Sequence, residues 1–156
     1  MGTEGDLTAD RMEQRLRDYF AACNTGEAEA IATHFTPDAV HYFPPGMEGG
    51  PYQGADTIGE HWATLVEKVD SSWSVDRLQT DPDRAAAAME WTHFAGQDGP
   101  VLRGIEWYDF EPETGLIAEI RAYFAAPMDE DREANELVGF EYADRGYATE
   151  PPVDRD

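Results

Sequence analysis

The sequence predicts an α+β fold with a largely antiparallel sheet. Up to Val69, apolar residues recur at helical spacing; beyond it they alternate along four strand-length stretches joined by tight turns. A chain of 156 residues with 41% hydrophobic content fits one domain with a sizeable core.

The elements follow in order. Met12, Leu16, Tyr19, Phe20 and Cys23 mark one face of a helix over 10–24, with Asp10 and Glu13 as a capping-box-like start and Gly26 as its stop. A short helix over 27–35 carries Ile31 and Phe35. Thr36-Pro37-Asp38 then turns the chain into a strand over 40–43. Residues 44–54, rich in Pro and Gly, read as a loop at a cavity mouth. Asp56 is placed to cap a third helix with the stripe Ile58, Trp62, Leu65, Val66 and Val69. Strands are expected over 72–80, 85–94, 101–110 and 116–125, with turns at 81–84, 96–99 and 112–115. From Met128 the chain is acidic and Pro-ended but holds Phe140, Tyr142 and Tyr147. The division is therefore a domain over 1–127 and a tail or flap over 128–156.

Charge excludes several functions. Against 33 acidic residues stand 11 basic ones, a formal net charge of -22. Such a surface repels nucleic acid phosphates and anionic lipids, so neither is an expected partner. Lys68 is the lone lysine. Acid-rich, lysine-poor surfaces suit a salt-filled cytoplasm, where screening relieves self-repulsion; an arginine-favouring genome with ordinary acidic bias is the alternative. The N-terminus lacks a basic segment followed by an apolar one, and no apolar run is long enough to span a membrane, so the expected location is cytoplasmic. Cys23, on the apolar face of the first helix, reads as a buried structural thiol rather than a nucleophile. The four histidines show no metal-binding spacing, and there is no Gly-rich phosphate loop or GxSxG elbow. No cofactor and no metal are expected. His34 and His61 lie beside apolar helix stripes and read as structural.

The stretch from Tyr19 to Ile31, continuing from His34 to Pro-Pro-Gly46, gives a helix, a Gly stop, a short helix, a turn and a strand. That order resembles the opening of the ketosteroid-isomerase-like group, also called the nuclear transport factor 2-like or SnoaL-like superfamily. The resemblance, over about 10–124, implies a curved sheet wrapped around helices as a cone-shaped barrel with an interior pocket. It sets Tyr19 where those isomerases keep an oxyanion-hole tyrosine, Trp62 on a second active-site tyrosine, and Glu106 on an oxyanion-hole aspartic acid. Phe43 occupies the place of the carboxylate base, so a steroid isomerase of the familiar kind is not implied. Ala122 stands where limonene epoxide hydrolases carry an aspartate, and that chemistry is not implied either.

Strand alternation selects the lining. If Glu106 points inward, so do Leu102, Gly104, Tyr108 and Phe110, and the family register adds Ile120, Ala122 and Phe124. His41 and Phe43 share a face of the first strand. On the 85–94 strand the preferred register turns Ala86, Ala88, Glu90 and Thr92 inward; a one-residue slip at 96–99 substitutes Trp91 and His93. The candidate catalytic residues are thus Glu106, His41, Tyr19 and Glu90, with Phe43, Trp62, Tyr108, Ile120 and Phe124 binding substrate. Two carboxylates in a desolvated pocket raise one pKa and supply a proton carrier. A His41–Glu90–Glu106 metal site is conceivable, though nothing pre-arranges it. The preferred register leaves Trp91, His93, Arg103, Trp107, Arg121 and Tyr123 outside, a composition suited to a homodimer interface or to cover by the tail.

The expected function is acid/base proton transfer on a small, largely apolar carbonyl or hydroxyl compound: isomerisation, cyclisation or dehydration. The alternative is a non-catalytic small-molecule-binding or assembly module of the same fold.

Overall fold

A computed structural model describes residues 6–44, 51–125, 134–136 and 140–155. Helix α1 (Ala9–Thr25) is capped by Thr8, whose hydroxyl accepts from the Arg11 amide at 3.1 Å, while Asp10 takes a first-turn place instead of the cap. It ends at Gly26, in the left-handed region at φ 73°, where a Cβ would meet Val66 Cγ1 at 2.8 Å. Helix α2 (Ala28–Ala32) is one turn long. Helix α3 (Ala55–Val69) follows Gly54, with no side-chain cap and Asp56 in its first turn.

The strands are β1 (Phe35–Tyr42), β2 (Tyr52–Gln53), β3 (Ser71–Asp81), β4 (Ala86–Ala95), β5 (Val101–Phe110), β6 (Ile117–Phe124) and β7 (Ala134–Asn135). They form one sheet in the order β2-β1-β6-β5-β4-β3, with β7 pairing the start of β5. All neighbours along that order are antiparallel except β1 and β6. The expected barrel is corrected: β2 and β3 remain separate edges, and α1 and α3 fill the concave side instead of sheet closure. Strand β1 begins at Phe35 rather than residue 40, because an irregularity between Phe35 and Val40 absorbs Pro37.

The core sits between the helix stripes (Met12, Leu16, Tyr19, Ile58, Trp62) and the concave face (Met89, Tyr108, Ile117, Ile120), all buried. Strand β4 corrects the preferred register. Met89 lies opposite Glu106 and Trp91 opposite Gly104, so Ala87, Met89, Trp91 and His93 face inward. Glu90 and Thr92 face outward, and Trp91 leaves the outer patch expected for it.

Residues 140–148 lie against that outer face. Arg103 donates to Thr92 Oγ1 and to the Ala148 carbonyl, both at 2.7 Å, with its guanidinium 4.1 Å from the Tyr142 ring centroid. The Tyr147 hydroxyl donates to Glu90, and Arg77 stacks on the Tyr147 ring. Ile105, Trp107 and Tyr123 stay exposed. The boundary expected at 127/128 and residues 45–50 of the mouth loop fall outside the described residues. Among those described, no helix is long and apolar enough to cross a membrane.

Candidate active site

Between the helices and the concave face lies a cavity of about 180 Å³. Its wall is mostly aromatic: Tyr19 and Phe20 from α1, Trp62 from α3, Trp73 from β3, Trp91 from β4, and Phe43 and Phe124. Cys23, Leu65, Val69 and Leu102 add apolar surface. The polar groups at the wall are few: Glu106, His93, Ser71, and the Tyr19 phenol.

Glu106 is fixed on both sides. Tyr108, its neighbour at the same strand parity, donates its hydroxyl to Oε1 at 2.8 Å, and His41 Nε2 meets Oε2 at 2.7 Å. His41 reaches it because β1 and β6 pair in parallel, with His41 opposite Ile120 and Ile120 opposite Tyr108. Burial, and after it the Glu106 charge, push the Tyr108 phenol well above its ordinary pKa, so it stays a donor. His41 is fully buried, and among the described residues its Nδ1 has no hydrogen-bond partner. The pair is 0% and 5% exposed by side chain. Water has little access to the contact, so the hydrogen bond between imidazole and carboxylate is stronger than the same bond in solvent.

Tyr19 is 1% exposed, and burial, followed by Cys23 and Glu106, raises its pKa well above the usual range. It is therefore a permanent hydroxyl next to the carboxylate. Burial likewise raises the Cys23 thiol, leaving it unreactive. At the mouth, His61 stacks on Tyr52 at 3.9 Å, and burial together with His41 lowers its pKa to about 4.

Of the expected catalytic set, Glu106 and Tyr19 line the cavity, and His41 stands directly behind Glu106. Glu90 does not join them: it is on the outer face with Tyr147. The conceivable His41–Glu90–Glu106 metal site is therefore not assembled, and among the described residues no group of three ligating side chains is placed to hold an ion. Of the expected substrate contacts, Phe43, Trp62 and Phe124 line the cavity, whereas Tyr108 and Ile120 are fully buried behind the wall. Ser71 and Trp73 were outside the expected lining, while His93 and Trp91 belonged only to the alternative register of the 85–94 strand. The pairing of Gly104 with Trp91 is the sequence signal for the last: an inward glycine opens room that a large opposite side chain fills.

An open, curved sheet folded over helices, with a carboxylate buried in an aromatic hollow, defines a small-molecule-pocket class of α+β protein. The chain belongs to the SnoaL-like domain family, whose model matches residues 16–133. It is 42% identical to a protein of unknown function with a cystatin-like fold from Methylobium petroleophilum PM1, covering 97% of this chain and 99% of that one at a TM-score of 0.76. At the level of fold it is similar to a SnoaL-like protein of unknown function from Burkholderia thailandensis (17% identity, 78% and 99% coverage, TM-score 0.62). It is similar in the same way to SalBIII, an epoxide hydrolase/cyclase-like enzyme of pyran ring formation in salinomycin (16% identity, 74% and 91% coverage, TM-score 0.61). No curated protein matches the sequence.

Proposed function

We propose that this chain is an acid/base enzyme that moves a proton on a small, largely apolar carbonyl or hydroxyl compound, in the manner of an isomerase, cyclase or dehydratase. The observation that carries the reading is Glu106: a carboxylate at the wall of an apolar cavity, held by Tyr108 and His41. A buried carboxylate–imidazole contact of this kind seldom stabilises a fold over well-packed apolar residues, and an apolar pocket with a few convergent polar groups is where a reaction site is expected. Glu106 is the group that touches substrate. As base, its carboxylate takes the proton α to a carbonyl; the C–H electron pair moves into the enolate, whose oxygen accepts from the Tyr19 hydroxyl. Return of the proton to another carbon completes an isomerisation, and its delivery to a departing hydroxyl completes a dehydration. Phe43, in the place of a second carboxylate, leaves Glu106 to perform both transfers. His41 and Tyr108 are positioning residues that act through it.

The test uses small ketones, acetophenone and cyclohex-2-enone among them, held in heavy water with the protein and followed by NMR. Deuterium entering the α position is the expected result, with the rate lowered at least about 100-fold in Glu106→Gln. Ketones that bind without exchanging deuterium would make the chain a binding module.

We further propose that the exposed Ile105, Trp107 and Tyr123 of the outer face pack against a second copy of the chain. Their clustering on adjacent strands at one parity supports this reading.

A further inference from the structure

The cavity has a second polar end that the proton-transfer reading does not use. Ser71, fully buried at the start of β3, meets His93 Nε2 through its hydroxyl at 2.7 Å, and both side chains line the cavity. An aromatic run joins this end to the Glu106 end. The His41 and Trp62 rings are 5.3 Å apart, Trp62 and Trp73 5.3 Å, and Trp73 and His93 5.4 Å. Trp91 and Phe124, packed edge to face at 5.6 Å, belong to the sheet side of the same cavity.

We propose that Ser71 and His93 are a specificity-determining pole that hydrogen-bonds the far end of the ligand. The ligand class is then an uncharged, flat, single-ring compound with an oxygen function at each end. The inference rests on Glu106 and Tyr19 being the reacting end. Size comes from volume: an apolar protein cavity of about 150 Å³ accommodates benzene, and this one is about 180 Å³. Length comes from register. Met89 lies opposite Glu106, and His93 is four residues further along β4, roughly 13 Å at the rise of a strand. The two polar ends are therefore set apart along the strand direction and face opposite ends of one ligand.

Charge comes from the lining. Among the described residues neither Arg nor Lys lines the cavity, and burial lowers the His93 pKa to about 4, so the imidazole is neutral near pH 7. A carboxylate or phosphate on the ligand would find no counter-charge there and would lose its hydration on entry. The same facts set aside a nucleophilic Ser71. Its partner imidazole is a poor base, and among the described residues no carboxylate bonds the other ring nitrogen to orient it.

The experiment is calorimetric titration of the full chain with acetophenone, 4-hydroxyacetophenone and 4-hydroxybenzoate. Wild-type protein is expected to bind 4-hydroxyacetophenone about tenfold or more tightly than acetophenone, the scale of one buried hydrogen bond, and to reject the anionic benzoate. Ser71→Ala and His93→Phe should each erase most of that gap, read as the ratio of the two affinities within each variant. A gap that persists in both variants, a missing gap in wild type, equal binding of the benzoate, or no binding of either ketone overturns the proposal. Deuterium exchange into acetophenone reports separately on Glu106. A binding gap without exchange sinks the proton-transfer reading alone, and exchange without a gap sinks this one alone.

Discussion

Replacing His93 with Gln should flatten the acid side of the stability profile. In the folded chain burial lowers the His93 pKa from 6.5 to about 4; unfolded, the imidazole returns to its ordinary value. Between those two pH values the unfolded chain binds more protons than the folded one, so stability is full above pH 6.5 and is lost as the pH falls towards 4. At about 1.4 kcal/mol per pH unit, the gap is worth about 3 kcal/mol by the time pH 4 is reached. Two other effects act over the same range. The net charge of -22 shrinks as carboxylates protonate, which relieves repulsion and opposes the loss. His61, also lowered to about 4 but only half-buried, adds a smaller loss of the same sign. Both persist in the variant, and Gln can still bond Ser71, so the difference between the two profiles isolates His93. Urea unfolding at a series of pH values from about 7 to about 4 measures it, with the wild-type curve falling more steeply. An NMR titration of the imidazole checks the cause. Parallel profiles, or a His93 midpoint at its ordinary 6.5, would refute the reasoning.

Two further outcomes test the walls. At Gly104 an added Cβ would sit 2.4 Å from Trp91 Cζ2 and 2.8 Å from the Tyr123 carbonyl, so Gly104→Ala should cost about 1–3 kcal/mol by denaturant unfolding and weaken 4-hydroxyacetophenone binding as the Trp91 wall shifts. Trp107→Glu should yield monomers in light scattering without changing exchange at Glu106, and wild-type association should tighten with salt as charge is screened; a wild-type monomer at high salt rejects the paired outer face.

The helices and the β5–β6 parity were readable because each has one apolar side and a defined stop. Gly26 and the stripe from Met12 to Cys23 mark α1, and Glu106, Tyr108 and Phe110 share one buried face of β5. Strand β4 was not readable for a physical reason. Its outer side is covered by residues 140–148, so Thr92 is as buried as Trp91, and the period of two that identifies an inner face is erased. An acid and a threonine on one side of β4 and two aromatic rings on the other fitted either register. The pairing partners of Glu90, Thr92 and Arg103 lie on β3, at Glu136 or in the 140–148 segment, distant in sequence and silent in local pattern. The same blindness hid Ser71, which meets His93 only when β3 and β4 align.

That second polar end depends on contacts made far from it in sequence. The Asn24 side chain, at the end of α1, clasps Trp73 by both backbone groups, accepting from its amide at 2.8 Å and donating to its carbonyl at 2.9 Å. Arg155 donates to the Asn24 carbonyl at 2.6 Å and pairs with Asp70 at 2.8 Å. Asp70 itself is held at φ 56°, in the left-handed region that turns α3 into β3, and its carbonyl accepts from the Gly96 amide. The segment 70–73, which carries both Ser71 and the Trp73 wall, is therefore fastened to α1, to the β4–β5 turn and to the C-terminal segment at once. A hydroxyl has to be held within a few tenths of an ångström to discriminate one ligand oxygen from none. An apolar wall needs no such fixing, since dispersion contacts tolerate small shifts of a ring. The concentration of directional bonds around 70–73 is thus the pattern expected of a segment that selects a polar group, and it supports the selectivity proposed for this end of the cavity.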